Sequence, residues 1–210
     1  LEGIKENYTP NKKIVLVMAA DNGVEAEKVS ASKRVITQYV VEAMLKGNSS
    51  VNSLAVSFGA DVKVVDLGID SEKDFLGIIN RKIMKNGTRN IRHESAMTKE
   101  EAVKAIEAGI EIVDELAKEG YNLFALGEMG IGNTTTSSAV LNVLTDISLE
   151  EIVGRGSGID DKTLEHKKNV VRESIEINNP DKSDPLDVLA KLGGLDIAAM
   201  TGAFLGCAKN

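Results

Sequence analysis

The 210-residue chain carries 25 basic and 32 acidic side chains, a formal net charge of −7, and 42% hydrophobic residues, the balance of an ordinary globular protein. That charge argues against a generic polyanion-binding surface, and an aromatic content of 3% leaves little for stacking the bases of single-stranded nucleic acid. No apolar run approaches the roughly 18 residues that span a bilayer. Cys207 is the sole cysteine, and His93 and His166 are far apart in sequence, so neither an intrachain disulfide nor a zinc site is expected. The expectation is a cytoplasmic protein with no metal, cofactor, nucleic-acid or membrane requirement. Residues 1–5 read neither as a signal peptide nor as a natural start, since Met is missing, and suggest a processing boundary.

Residues 14–20 form a continuous apolar run that ends at Asp21-Asn22-Gly23, the pattern of a strand buried on both faces and closed by a turn. Ile36, Tyr39, Val40, Ala43 and Met44 recur at helical spacing up to Gly47, and a shorter helix follows with Val51, Leu54, Ala55 and Phe58 on one face. A second strand covers 62–67. Residues 69–96 are irregular, a long connection of the kind that often serves function. Thr98 and Glu101 have capping-box spacing ahead of a long amphipathic helix that Gly120 stops. A third strand covers 122–126, followed by a loop over 127–136 that enters a helix. The cluster Gly154-Arg155-Gly156-Ser157-Gly158 precedes another helix. Asp184-Pro185 supplies an N-cap and a proline at the first helical position, Gly193-Gly194 ends that helix, and 197–205 reads as the next. Strands alternating with helices imply an α/β fold around a parallel sheet, with only three strands evident.

The segment Gly127-Glu128-Met129-Gly130-Ile131-Gly132-Asn133-Thr134-Thr135 sits where ligands bind in open parallel sheets, beyond the carboxyl end of a strand. Glycines allow close approach of an anion to the backbone, and a helix start offers amide donors in a favourable dipole. Gly127 and Gly132 have nucleotide P-loop spacing, but Asn133 stands where lysine is required; Gly130 and Gly132 begin a dinucleotide fingerprint, but Thr135 replaces its third glycine. A glycine-rich turn with capping threonines would look the same. Arg155 offers a planar fork for a phosphate or carboxylate, although a lone arginine or Lys167 is ordinarily a solvated surface charge. Ser30 and Gln38 are unremarkable by pattern. Glu128, a carboxylate among glycines, suits a base or a cap for nearby amides.

These segments, with Ala19-Ala20-Asp21-Asn22-Gly23-Val24, Val29-Ser30-Ala31, Asp184-Pro185-Leu186 and Gly193-Gly194-Leu195-Asp196-Ile197-Ala198-Ala199-Met200 in order, resemble the nicotinate-nucleotide–dimethylbenzimidazole phosphoribosyltransferases along nearly the whole chain. The resemblance implies a Rossmann-like parallel sheet in a three-layer α/β/α arrangement, residues 1–210 as one core domain incomplete at both ends, and a homodimer. It implies transfer of phosphoribose from nicotinate mononucleotide to 5,6-dimethylbenzimidazole or a related base, with α-ribazole 5′-phosphate and nicotinate as products. By resemblance, Ser30 and Gln38 lie beside the azole. Gly130, Gly132, Asn133, Thr134, Arg155, Gly156 and Lys167 hold the phosphate, and Glu128 is a carboxylate near the ribose or base. Two departures stand out: Asn22 occupies a position that is usually histidine, and the family's principal base, a glutamate in a later glycine-rich motif, is expected beyond Asn210. A non-catalytic or partner-dependent substrate-binding relative is therefore the alternative, and an ATP-binding enzyme suggested by the P-loop spacing is a weaker third.

Overall fold

The computed structural model describes residues 9–210; the expectation about residues 1–5 lies outside the described residues. Lys13–Ala20 forms β1, Ala60–Gly68 β2, Ile79–Asn80 β3 and Leu123–Met129 β4, all parallel in the order β3-β2-β1-β4. β1 is central because its side chains are apolar on both faces. Ile14, Leu16, Met18 and Ala20 enter the larger core, while Val17 and Ala19 enter a smaller one on the opposite face, as strand alternation requires.

Ile36–Leu45 (α1) supplies Val41, Met44 and Leu45 to the smaller core. The larger face is covered by Lys99–Lys118 (α3) and Leu195–Lys209 (α8), which gives the expected three-layer arrangement. Thr98 and Glu101 form the anticipated capping box at the start of α3. α3 and α8 approach so closely that a Cβ on Gly109 would overlap the carbonyl oxygen of Ala199, and one on Gly202 that of Ile106. The short helix α2 (Ser50–Ser57) buries Ala55 but leaves Leu54 and Phe58 exposed, so its expected apolar face is only partly used.

The sheet holds four strands rather than three. β3 has two residues on the far side of β2, too short to carry a period-two pattern. β4 continues to Met129, three residues into the segment expected to be loop, because Gly127, Glu128 and Met129 pair in register with Val17, Met18 and Ala19. Asn133–Thr145 (α4) follows after a short turn, then Leu149–Ile152 (α5), Asp161–Asn178 (α6) and Pro185–Leu192 (α7). Asp184 caps α7 through the amides of Leu186 and Asp187, with Pro185 in the first turn.

Candidate active site

The turn from β4 to α4 is bent by Gly132, whose φ of +98° is left-handed, a conformation that glycine adopts without strain. Gly130 is required for a different reason: a Cβ there would overlap the carbonyl oxygen of Ala20. The turn is pinned from the opposite face of the sheet, where Thr37 of α1 donates to Asp21 at 2.6 Å and accepts from the amide of Ile131 at 3.2 Å. Burial raises the Asp21 carboxyl above its usual range, and Thr37 and the Asp70 amide satisfy its oxygens.

Beside this turn lies a cavity of about 390 Å³. Val29, Ile36, Val40, Met129 and Ile131 give it an apolar side; Asn133, Thr134, Gly156 and Lys167 belong to its polar side. Ser30 and Ser157 meet across it, with their hydroxyl oxygens 3.4 Å apart. The two glycine-bearing segments thus face one space, although they are more than a helix apart in sequence.

Lys167 reaches that space from α6. It is 1% exposed, and its Nζ donates to Thr134 Oγ1 at 2.6 Å and to the carbonyl of Gly154 at 3.2 Å. Among the described residues none of its hydrogen-bond acceptors is a carboxylate, and burial lowers its pKa to about 8. A buried cation compensated only by neutral oxygens is costly, and an anion in the cavity would relieve that cost. A Cβ on Gly156 would lie 3.2 Å from Thr134 Oγ1 and 3.7 Å from Lys167 Nζ, at a residue with φ of +52°, so a side chain there would fill the space in front of the ammonium.

The remaining expected residues divide. Asn133 donates to both oxygens of Glu128 at 2.8 Å; burial raises the Glu128 carboxyl, and the Asn133 bonds oppose that shift. Arg155 lines the cavity, but its guanidinium donates to the Ile159 carbonyl and to Asp161. Gln38 sits on α1, where it accepts from Ser71 at 3.0 Å, and it is not among the residues lining the cavity.

The expectation that backbone amides of the first glycine segment form the anion grip is only partly met. The amides of Ile131, Asn133, Thr134 and Thr135 have intrachain acceptors, whereas among the described residues those of Gly132, Gly156 and Ser157 have none. Side-chain donors carry more of the site than the pattern suggested. Thr135 was not singled out, yet the residue lines the cavity, and its buried hydroxyl lacks a partner among the described residues. The threonine run marked it; only the fold shows which hydroxyl turns inward.

A parallel α/β sheet flanked by helices, with a cavity beyond the carboxyl end of β4, places the chain in the Rossmann-like class. Comparison with known proteins narrows this: the profile of the DBI_PRT phosphoribosyltransferase family matches residues 1–210, and the chain belongs to that family. It is 49% identical over 210 residues to the nicotinate-nucleotide–dimethylbenzimidazole phosphoribosyltransferase of Acetivibrio thermocellus, covering 99% of this chain and 60% of that one. The enzyme of the same name from Ruminiclostridium cellulolyticum is 54% identical, with 99% and 59% covered. The crystal structure of CobT from Thermus thermophilus superposes with a TM-score of 0.89 at 35% identity, covering 96% of this chain and 60% of that one. The chain thus spans about 60% of the length of these relatives.

Proposed function

We propose that residues 1–210 act as the phosphoribosyl-binding core of an enzyme that moves phosphoribose from nicotinate mononucleotide to 5,6-dimethylbenzimidazole or a related lower-ligand base, in assembly of the cobalamin nucleotide loop. The observation that carries this reading is the Lys167 ammonium, buried beside the cavity with only neutral acceptors. Lys167, Thr134, Thr135 and the amides of Gly132, Gly156 and Ser157 would hold the 5′-phosphate. The apolar wall of Ile36, Val40 and Met129 suits a flat aromatic base, with Ser30 at its rim.

In the reaction, the lone pair of an azole nitrogen attacks the anomeric carbon while the bond to the pyridinium nitrogen of nicotinate breaks. The departing electron pair neutralises that nitrogen, and the azole loses its N–H proton to a base. Fixing the phosphate sets the distance and angle of attack, and a nearby carboxylate stabilises positive charge developing on the ribose. Glu128 fits the second task. It is held by Asn133, which lines the cavity where Glu128 does not, so the azole proton is assigned to a base other than Glu128.

The second reading, a partner-dependent core that binds nicotinate mononucleotide without turning it over alone, is not favoured by relatives that carry the transferase name. The assay is azole-dependent nicotinate release by the 210-residue chain and by a chain extended to the full length of its relatives. Release by the extended chain that Lys167→Met lowers at least tenfold supports the transferase reading. Equal release by the 210-residue chain removes the second reading, and no release by either removes the first. A homodimer belongs to the same proposal and is checked by sedimentation.

A further inference from the structure

The connection over 69–96 lines no part of the cavity, yet its far end holds the loop that does. Gly23–Glu27 forms a short 3-10 helix, and Lys28 follows with φ of +58°, a left-handed conformation that is uncommon outside glycine. Val29 and Ser30, next in the chain, line the cavity. A residue in that conformation persists where its surroundings fix it, and Glu27, immediately before it, is fixed through both side chain and backbone.

The Glu27 carboxylate accepts from Asn90 Nδ2 at 2.6 Å and from the Arg92 guanidinium at 2.5 Å, with His93 Nε2 3.2 Å away. Its carbonyl accepts from His166 Nε2 at 2.7 Å. Only 12% of the Glu27 side chain is exposed. Burial works against its charge, but the bonds from Arg92 and Asn90 prevail and hold the carboxyl below its usual range. Arg92 Nε donates in turn to Glu173 at 2.7 Å, about two helical turns beyond His166 on α6.

The grip rests on fixed supports. Around Asn90 the chain makes a tight turn, in which the His93 and Glu94 amides donate to the Asn90 carbonyl and the Arg92 amide to Asn90 Oδ1. Ile91 is fully buried there, and its carbonyl accepts from Asn178 of α6 at 2.7 Å. α6 also carries Lys167, next to His166 in sequence. One helix therefore presents the cavity's ammonium and fastens the loop that bears Ser30, which sets the base side of the cavity against its anion side.

We propose that Glu27 is a positioning residue for the acceptor base: held by Arg92, Asn90 and His166, it fixes Val29 and Ser30 at the cavity without lining the cavity itself. Without its carboxylate the Lys28 backbone is free to relax, and Ser30 moves with it. The role of Glu27 rests on the phosphoribosyl reading for the identity of the base, whereas the grip on the loop does not.

Two measurements test this. In the 15N-labelled 210-residue chain, Glu27→Ala should move the amide resonances of Val29 and Ser30 and lower their heteronuclear NOE, while those of Gly132 and Thr134 hold. Glu27→Gln, which keeps an acceptor for Arg92, should restore most of that order. His166→Phe removes only the bond to the Glu27 carbonyl; it should give the same pattern in smaller degree, and it decides the question if the alanine variant does not fold. In azole-dependent nicotinate release by the extended chain, Glu27→Ala should raise KM for the azole at least about fivefold, the worth of one neutral hydrogen bond. KM for nicotinate mononucleotide should stay unchanged. Val29 and Ser30 resonances that ignore the substitutions overturn the proposal, as does an equal rise in both KM values or a glutamine variant no better than alanine. Absence of turnover in the wild-type extended chain counts against the functional reading alone, and the resonances then decide the grip.

Discussion

Lys167 illustrates how a residue's setting reverses its default role. On sequence alone it is one more lysine on a polar helix; in the fold its ammonium is enclosed between Thr134 and the Gly154 carbonyl. Lys167→Met should weaken nicotinate mononucleotide binding by about 10- to 100-fold, the worth of a charge-assisted hydrogen bond of about 1.5–3 kcal/mol, as read by calorimetry. The melting temperature of the unliganded chain should not fall, because a poorly compensated buried charge is removed. The pH dependence has a definite sign. With its folded pKa lowered to about 8, Lys167 loses its charge as pH rises through that value, so wild-type affinity should drop on the alkaline side while the methionine variant stays flat. Thr135→Val should cost affinity about fivefold, one neutral hydrogen bond, without loss of stability, since the hydroxyl it removes has no partner among the described residues. The motif around Gly130 and Asn133 was legible because glycine and threonine spacing is local. The burial of Lys167 and Asp196 was not, because each is enclosed by segments distant in sequence.

At the scale of elements, the pairing of α3 with α8 holds the larger core against the sheet and sets the position of Asp196. Its closeness depends on Gly109 and Gly202, where any side chain would meet the opposing backbone. Gly202→Ala should destabilise the chain by about 1–3 kcal/mol, the usual cost of overpacking. It should appear as a lower urea midpoint with an unchanged denaturant slope. Continuous apolar character made β1 readable, and α3 was readable from its capping box and its alternating three- and four-residue steps. The carboxyl half of β4 was missed because Gly127 reads as a loop residue, whereas in the sheet its pairing with Val17 decides the conformation. β3 and α5, of two and four residues, are too short for any periodic signal.

For the whole molecule, the interior carboxyl of Asp196 contributes to stability with a pH dependence opposite to that of carboxyls held low by ion pairs, such as Asp187 and Glu101. The folded-state pKa of Asp196 lies above its unfolded value. Its contribution is therefore complete below the unfolded pKa of about 3.9 and is lost as pH rises through about 7. The difference in melting temperature between the wild type and Asp196→Asn should shift against the wild type as pH rises across that interval, as read by scanning calorimetry at several pH values. Family membership and the three-layer fold were accessible from ordered motifs along the chain. The division of labour at the cavity was not, because it depends on which donors the fold leaves unengaged: the amides of Gly156 and Ser157 have no acceptor among the described residues, while most of those in the first glycine turn do.

The central claim is that one phosphate ester is held between two separated glycine segments by the Lys167 ammonium. Titrating the 15N-labelled chain with nicotinate mononucleotide and following its amide resonances tests this most directly. Saturable shifts should concentrate at Gly132, Thr134, Thr135, Gly156 and Ser157, and in Lys167→Met they should need about 10- to 100-fold more ligand. Saturable binding that leaves those amides still, or survives the loss of Lys167 undiminished, would contradict the account.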